Sequence, residues 1–95
     1  MIALLSLNCD ASRVKKSVTF NLDYAKTNDP ILPFLAHVPA DFRGSFIRFI
    51  NPKNGKSVVA KIINRTSDEY RTSPVVKRLI DIQSAIAIVF IEAVY

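Results

Sequence analysis

The feature that most constrains the fold is a turn signal at residues 51–56, Asn-Pro-Lys-Asn-Gly-Lys, set between two apolar, β-branched segments. Proline presets one φ angle, and Asn-Gly is a strong short hairpin signal. Asn54 and Gly55 can both adopt positive φ, which predicts a type I′ turn. The sequence therefore predicts an antiparallel hairpin whose strands are residues 45–51 and 57–63.

Hydrophobic alternation predicts a further strand at residues 17–22. Val18, Phe20 and Leu22 would share one face, the period of two that is typical of a half-buried strand. Lys15 and Lys16, just before it, would be solvated.

Both ends of the chain contain apolar runs. Residues 2–7 and 86–95 are interpreted as strands, although residues 85–88 could equally extend a helix. Ser73 and Pro74 have the character of an N-cap and a first helical position, which predicts a short helix over residues 75–79.

Two segments carry no strand signal. Residues 23–44 contain three prolines and are interpreted as an ordered, extended crossing over the end of a barrel. Residues 66–73 are polar and indicate a loop. No convincing internal repeat is visible. Five or six short strands with at most one short helix indicate a small all-β barrel.

Composition limits the class of protein. The chain has 95 residues, 49% of them hydrophobic, which favours a single domain over residues 1–95. One cysteine excludes an internal disulfide and a multi-cysteine zinc site, and we expect no cofactor. No apolar run approaches the roughly twenty residues of a membrane span, so we expect a soluble chain. The net charge of +5 favours anionic partners: nucleic acid, acidic lipid or cell-wall polymers.

Residues 36–65 and 78–85 together resemble the double-psi β-barrel domain of the rare lipoprotein A family. The ordered matches are Ala36-His37, Arg48, Asn51, Asn54-Gly55, Ser57, Arg65 and Ile80-Asp81. The resemblance covers roughly the last sixty residues and implies a six-stranded double-psi barrel in a periplasmic or secreted, cell-wall context. Because no clear signal peptide is visible, a cytoplasmic location stays open.

Some members of that family look like lytic transglycosylases, which cleave peptidoglycan with carboxylates and no metal. Such chemistry needs a protonated carboxyl that gives its proton to the glycosidic oxygen. Where the family has an aspartate, this chain has Asn64, and an amide cannot act as that acid. Asp81 is the remaining candidate catalytic residue; its alternative is a cap or an ion-pair partner of Arg65 or Arg78.

The resemblance and the residue types also indicate ligand-binding residues: His37, Arg48, Asn64, Arg65 and Tyr70. Asn64 and Arg65 could bind sugar hydroxyls or a carboxylate, or could instead satisfy loop carbonyls. His37 could flank a groove or be a hydrogen-bonded structural residue. Tyr70, in a polar segment, could stack on a ligand.

Three functional hypotheses follow. The first is a non-catalytic barrel that binds cell-wall glycan or another anionic polymer near His37, Asn64, Arg65 and Asp81. The second is a peptidoglycan lytic transglycosylase that uses Asp81. The third is a basic β-barrel subunit that binds RNA or belongs to a larger assembly.

Overall fold

The computed structural model describes residues 13–22 and 34–95 as six strands and one short helix. In chain order these are β1 (Arg13–Thr19), β2 (Leu35–His37), β3 (Phe46–Ile50), β4 (Ser57–Asn64), β5 (Tyr70–Thr72), α1 (Pro74–Leu79) and β6 (Ile86–Val94). The predicted strand at residues 2–7 lies outside the described residues.

The six strands close into a barrel in the order β1-β5-β2-β4-β3-β6. β1 runs parallel to β5, β2 runs parallel to β4, and the other neighbours are antiparallel. Exchanging β1 with β4, β2 with β5 and β3 with β6 leaves the set of neighbouring strand pairs in the ring unchanged. The barrel therefore consists of two interleaved three-stranded halves, which is the connectivity expected of a double-psi barrel, and the predicted small all-β fold is confirmed.

The core lies inside this ring and is built from alternate residues of the strands. Val18 and Phe20 of the first half pack there with Ile47 and Phe49, as the period-two pattern requires. The fully buried Val76 and Ile80 bring α1 against the same cluster. Burial of this aliphatic and aromatic surface is the main stabilising contribution in a domain of this size.

A backbone repeat underlies the two halves. The turn and strand over residues 40–50 recur over residues 80–90, forty positions later, with the same succession of turn, bends and extended residues. Of these eleven positions, Asp41 and Asp81 are the one identical pair. The sequence shows no repeat because the two segments share the order of turn, bends and strand but almost no side chains.

Strand boundaries differ from the prediction at β1. The strand begins at Arg13, because residues 13–19 all pair with β6, and its buried residue Val18 is on the predicted face. Lys15 is exposed as expected, but it lies within the strand, with its ammonium group 5.5 Å from the centroid of the Phe90 ring.

Two strands are absent from the prediction. β2 lies inside the proline-rich segment that was interpreted as an extended crossing, and β5 lies inside the segment interpreted as a loop. Each has three residues and is held by neighbours on both sides. These residues are strands because their backbones pair with neighbouring strands, and not because of a local hydrophobic pattern.

The β3–β4 hairpin is confirmed, but its predicted turn type is wrong. Gly55 has a φ of +76°, whereas Asn54 does not have positive φ. The Gly55 N–H donates to the Asn51 carbonyl at 2.8 Å, and the Asn51 N–H donates to the Lys56 carbonyl at 2.9 Å. The four-residue loop thus ends in one left-handed residue, and glycine is the residue that adopts this conformation without strain.

The predicted helix is confirmed as α1, with Ser73 at the N-cap and Pro74 at the first helical position. Its N-cap hydroxyl makes no capping bond and instead contacts the backbone of Leu35. Residues 86–94 form β6, which settles the alternative at residues 85–88 in favour of a strand.

Candidate functional site

Four of the six predicted site residues lie around one end of the barrel. His37, at the end of β2, pairs with Asn64 of β4 and with Arg71 of β5. Arg65 directly follows Asn64, and Tyr70 opens β5. Because parallel β2 and β4 end at the same edge, their terminal residues come together there.

Arg65 holds the loop that connects β2 and β3. Its guanidinium donates to the Phe42 carbonyl at 3.3 Å and also to the Gly44 carbonyl. Asn64 has a local role: its Oδ1 accepts from the Thr66 N–H at 2.8 Å and from the Thr66 hydroxyl at 3.0 Å. Arg65 therefore satisfies loop carbonyls, as one of the two sequence alternatives stated.

The Arg65-held loop forms one wall of a cleft of about 200 Å³. The cleft is lined by Val14, Lys16, Asp41, Phe42, Arg43, Tyr70, Ile91 and Ala93. The Phe42 and Tyr70 rings meet edge to face with their centroids 6.1 Å apart. Lys16 and Arg43 add two cationic side chains to these rings, and Asp41 adds one carboxylate. We call this the Tyr70 cleft.

Two titratable groups at this end have shifted pKa values. Burial raises the pKa of the Tyr70 phenol above 10.0, and the Asp41 carboxylate raises it further. Burial lowers the pKa of His37 below 6.5, and the Arg71 guanidinium lowers it further. Near neutral pH Tyr70 is therefore a neutral hydrogen-bonding aromatic ring, and His37 is mainly uncharged.

Arg48 lies apart from the Tyr70 cleft. It sits on β3 opposite Glu92 of β6 and donates to the Glu92 carboxylate, which Arg13 approaches at 3.6 Å from the other side. This three-residue cluster lies on the outer face of the sheet. The structure thus assigns Arg48 a cross-strand ion pair, a contact that the register of β3 with β6 makes and that the sequence order alone does not show.

Asp81 lies at the opposite end of β4 from Asn64. Its carboxylate pairs with Lys56 Nζ at 2.7 Å, and Asn54 Nδ2 lies 3.4 Å from the same oxygen. Lys56 precedes β4 and Asn64 ends it, and the eight-residue strand spans about 23 Å. The structure therefore does not bring Asp81 together with His37, Asn64 and Arg65.

The ion pair of Asp81 also differs from the sequence expectation, which named Arg65 or Arg78 as partner. Asp81 has a φ of +60°, in the left-handed region that few non-glycine residues adopt. The buried Asn51 fixes this turn by donating from Nδ2 to the Ile80 carbonyl at 2.7 Å. The hairpin turn thus holds Asp81 in place, and these contacts give Asp81 a role in stabilising the fold.

A second cleft, of about 400 Å³, lies beside Asp81. Its lining combines the hairpin turn, residues 51–53, with residues 81–84 and two residues of β6, Ala87 and Ile88. Residues 81–83 are the repeat counterparts of residues 41–43 in the Tyr70 cleft. We call this second depression the Ile88 cleft. In the part of the chain that the structure describes, the interleaved halves thus place a cleft at either end of the barrel.

Sequence reasoning did not identify Lys16, Asp41, Phe42 or Arg43 as residues of a site. The available signal was the spacing of forty between Asp41 and Asp81, each followed by a large apolar residue and then a polar one. That signal is weak without the barrel, because two aspartates at one spacing are common in any chain.

Among the described residues no group of three or more His, Cys, Asp or Glu side chains is placed to hold a metal ion. No helix in the described part of the chain is long and apolar enough to cross a membrane. No family model matches the chain, and no curated protein matches it either. The Tyr70 cleft and the Ile88 cleft are therefore the features from which a function can be inferred.

Proposed function

We propose that this chain is a non-catalytic barrel that binds an anionic polymer in the Tyr70 cleft, with cell-wall glycan as the ligand that the resemblance to the rare lipoprotein A family favours. The observation that carries the proposal is that two aromatic rings in edge-to-face contact, Phe42 and Tyr70, line the same cleft as the cations Lys16 and Arg43. Aromatic rings stack on the apolar face of a sugar, and cations bind its carboxylates or phosphates.

The size of the cleft fits this ligand class. A volume of about 200 Å³ accommodates one ring of a polymer, and not a whole small molecule buried on all sides. A polymer can lie across such a shallow cleft and gain further contacts with the basic surface on either side. Asp41 would accept hydrogen bonds from sugar hydroxyls, which gives the site a preference for polyols over simple anions.

The carboxylates support binding in preference to glycan cleavage. Cleavage calls for two carboxyl groups about 5–9.5 Å apart, one of them protonated. Asp81 is exposed and neutralised by Lys56, and the position that would supply its partner is Asn64, about 23 Å away along β4. Among the described residues that line the Tyr70 cleft, Asp41 is the single carboxylate.

The test is co-sedimentation of the purified protein with insoluble peptidoglycan at low and moderate salt, followed by analysis of soluble products. Arg43→Glu reverses a cation of the cleft, and we expect it to weaken retention about tenfold, equivalent to about 1.4 kcal/mol. The matched control is Arg78→Glu, which makes the same charge change on the exposed end of α1. It should change retention less than about twofold.

Several outcomes would overturn the proposal. Equal losses in both variants would show a general charge effect and no defined cleft. Release of soluble muropeptides that disappears in Asp81→Ala would establish the enzyme hypothesis instead. Absence of retention, together with RNA binding that weakens steeply with salt, would replace glycan with nucleic acid, because phosphate contacts release counterions.

A further inference from the structure

The pairing of β3 with β6 is uneven. All five residues of β3 pair with β6, from Phe46 opposite Val94 to Ile50 opposite Phe90. β6 is longer, and its first four residues, Ile86 to Val89, pair on one side with β1 but have no β3 residue on the other side. Within the described residues, this side of residues 86–89 is an unpaired strand edge.

The hairpin turn explains why β3 stops. The residue that would face Val89 is Asn51, whose backbone N–H and carbonyl both bond within the hairpin. The residue that would face Ile88 is Pro52, which has no N–H to donate. The chain therefore turns away, and the Ile88 cleft occupies the space between residues 51–53 and the edge of β6.

In the other half of the barrel, the corresponding strand edge is paired with a neighbouring strand. By the forty-residue repeat, Ile86 to Val89 correspond to Phe46 to Phe49 of β3, and those residues are fully paired by Ile91 to Val94 of β6. The filling segment there reads Ile-Glu-Ala-Val and is antiparallel to the strand it covers. Within residues 13–22 and 34–95, one half of the barrel thus has four extended residues that the other half lacks.

The exposed side chains at the unpaired edge are apolar. Ile86 is 58% exposed and Ile88 is 63% exposed, both on the outer face of β6. Large aliphatic side chains with this much exposure on adjacent outward positions of a strand mark an interaction site or an aggregation risk. The edge therefore combines open backbone groups, an apolar outer face and a 400 Å³ cleft beside it.

From these features we infer that residues 86–89 are a docking edge for an extended, aliphatic segment of a partner protein, which adds antiparallel to β6 and completes the repeated barrel. The main-chain hydrogen bonds supply affinity, and alternate side chains supply specificity. Of four docked residues, two face outward against Ile86 and Ile88, and two face inward beside Ala87 and Val89.

The chemistry of the partner follows from the register. In the filled half, the residue opposite Arg48 is Glu92. Arg48 corresponds to Ile88 in the repeat, so the partner residue opposite Ile88 is aliphatic and not acidic. The inward counterparts, Ile91 and Ala93, indicate apolar residues that fit the core face. Lys53, exposed in the lining of the Ile88 cleft, favours acidic residues flanking this apolar stretch.

The probe that tests this edge is a synthetic peptide, Glu-Glu-Phe-Ile-Val-Ala-Val-Tyr-Glu-Glu, in which the filling segment carries valine in place of its glutamate. Its binding to the whole chain is measured by fluorescence anisotropy, with amide hydrogen exchange to locate the site. We expect one peptide per chain and slowed exchange within residues 86–89. A second peptide carries proline at the first valine, the one that replaces the glutamate. It should bind at least about tenfold more weakly, because proline lacks a main-chain N–H donor.

A pair of protein variants separates the edge from general hydrophobicity. Ile88→Glu changes an exposed residue at the edge, and Val59→Glu changes an exposed residue on the outer face of β4. We expect Ile88→Glu to weaken peptide binding at least about tenfold and Val59→Glu to leave it within about twofold. Both positions are solvent-accessible, so both variants should fold.

Three results would overturn the inference. One is no binding of the valine peptide, and another is binding that Ile88→Glu leaves intact. The third is a concentration-dependent dimer of the free protein that Ile88→Glu abolishes, which would assign the edge to a second copy. This inference does not depend on glycan binding, because the Tyr70 cleft contains none of residues 86–89 and is tested by Arg43→Glu.

Discussion

At the scale of single residues, the two repeat-related aspartates have different electrostatic surroundings. Asp81 is paired with Lys56 at 2.7 Å. Asp41 makes no ion pair within the described residues and instead acts on Tyr70, whose pKa its charge helps to raise. An unpaired carboxylate beside an aromatic ring can accept hydrogen bonds from a ligand, whereas a paired one must first release its lysine. This difference supports the proposal that the ligand binds in the Tyr70 cleft and not beside Asp81.

His37 provides a spectroscopic test at this scale, because it is the one histidine of the sequence. Burial, followed by the charge of Arg71, lowers its pKa below 6.5. An NMR titration should therefore place its midpoint below 6.5, and Arg71→Ala should move that midpoint upward. Lys77→Ala, a charge removal on α1, is the control and should leave the midpoint in place.

The same shift has a consequence for stability. The unfolded chain takes up a proton at His37 near pH 6.5, while the folded chain does so at lower pH. The contribution of His37 to stability is thus complete above pH 6.5 and is lost as the pH falls through the folded pKa. A His37 titration midpoint at or above 6.5 would contradict the burial of His37 and its proximity to the Arg71 guanidinium.

At the scale of elements, the sequence predicted those strands whose pattern is local. β3, β4 and β6 have alternating or continuous apolar residues, the alternation over residues 17–22 overlaps the end of β1, and α1 has its Ser-Pro start. β2 and β5 have three residues each and gain their hydrogen bonds from two neighbours. Their strand character comes from contacts distant in sequence, which no window of a few residues contains.

The candidate site shows the same limit. Grouping Asp81 with Asn64 and Arg65 required knowing at which end of β4 each lies. Sequence order does not show this, because Asp81 lies at the start of β4 only through its ion pair with Lys56, which is distant in sequence. Grouping His37 with Asn64 succeeded because both end strands that run in parallel.

Two glycines allow a test of the turns. Both Gly44 and Gly55 have positive φ, at +111° and +76°. A Cβ at Gly55 would meet nothing within 4 Å, so Gly55→Ala should cost only the conformational penalty, about 1 kcal/mol. A Cβ at Gly44 would lie 3.1 Å from the Ala93 Cβ, so Gly44→Ala should cost more, about 2 kcal/mol or above.

Urea unfolding of both variants and the wild type measures these costs as differences in the free energy of unfolding. The order of the two costs is the informative result. If Gly55→Ala proved as destabilising as Gly44→Ala, the loop at Gly44 would not be packed against β6 as described.

At the scale of the whole molecule, every described strand pairing joins the first half of the chain to the second. β1, β2 and β3 alternate around the ring with β4, β5 and β6, so no two strands of one half are neighbours. Neither half can therefore form a described backbone ladder by itself. The fold is therefore stable only when all six strands are paired, and we expect the chain to unfold in a single cooperative step.

Chain fragments test this property. Peptides of residues 1–53 and 54–95, divided within the exposed hairpin turn, should each lack β-sheet circular dichroism, because each lacks all of its partner strands. An equimolar mixture should regain the sheet signal, with a stability that depends on concentration. A sheet signal from residues 1–53 alone would mean that pairings other than those described are available to the first half.

The alternation of the two halves also sets the order of events during synthesis. β1 emerges from the ribosome early, yet its partners β5 and β6 follow more than fifty residues later. At roughly 5–20 residues per second, its apolar face waits several seconds without its native neighbours. Until Val94 has been added the ring cannot close, so this barrel matures only after its last strand has been translated.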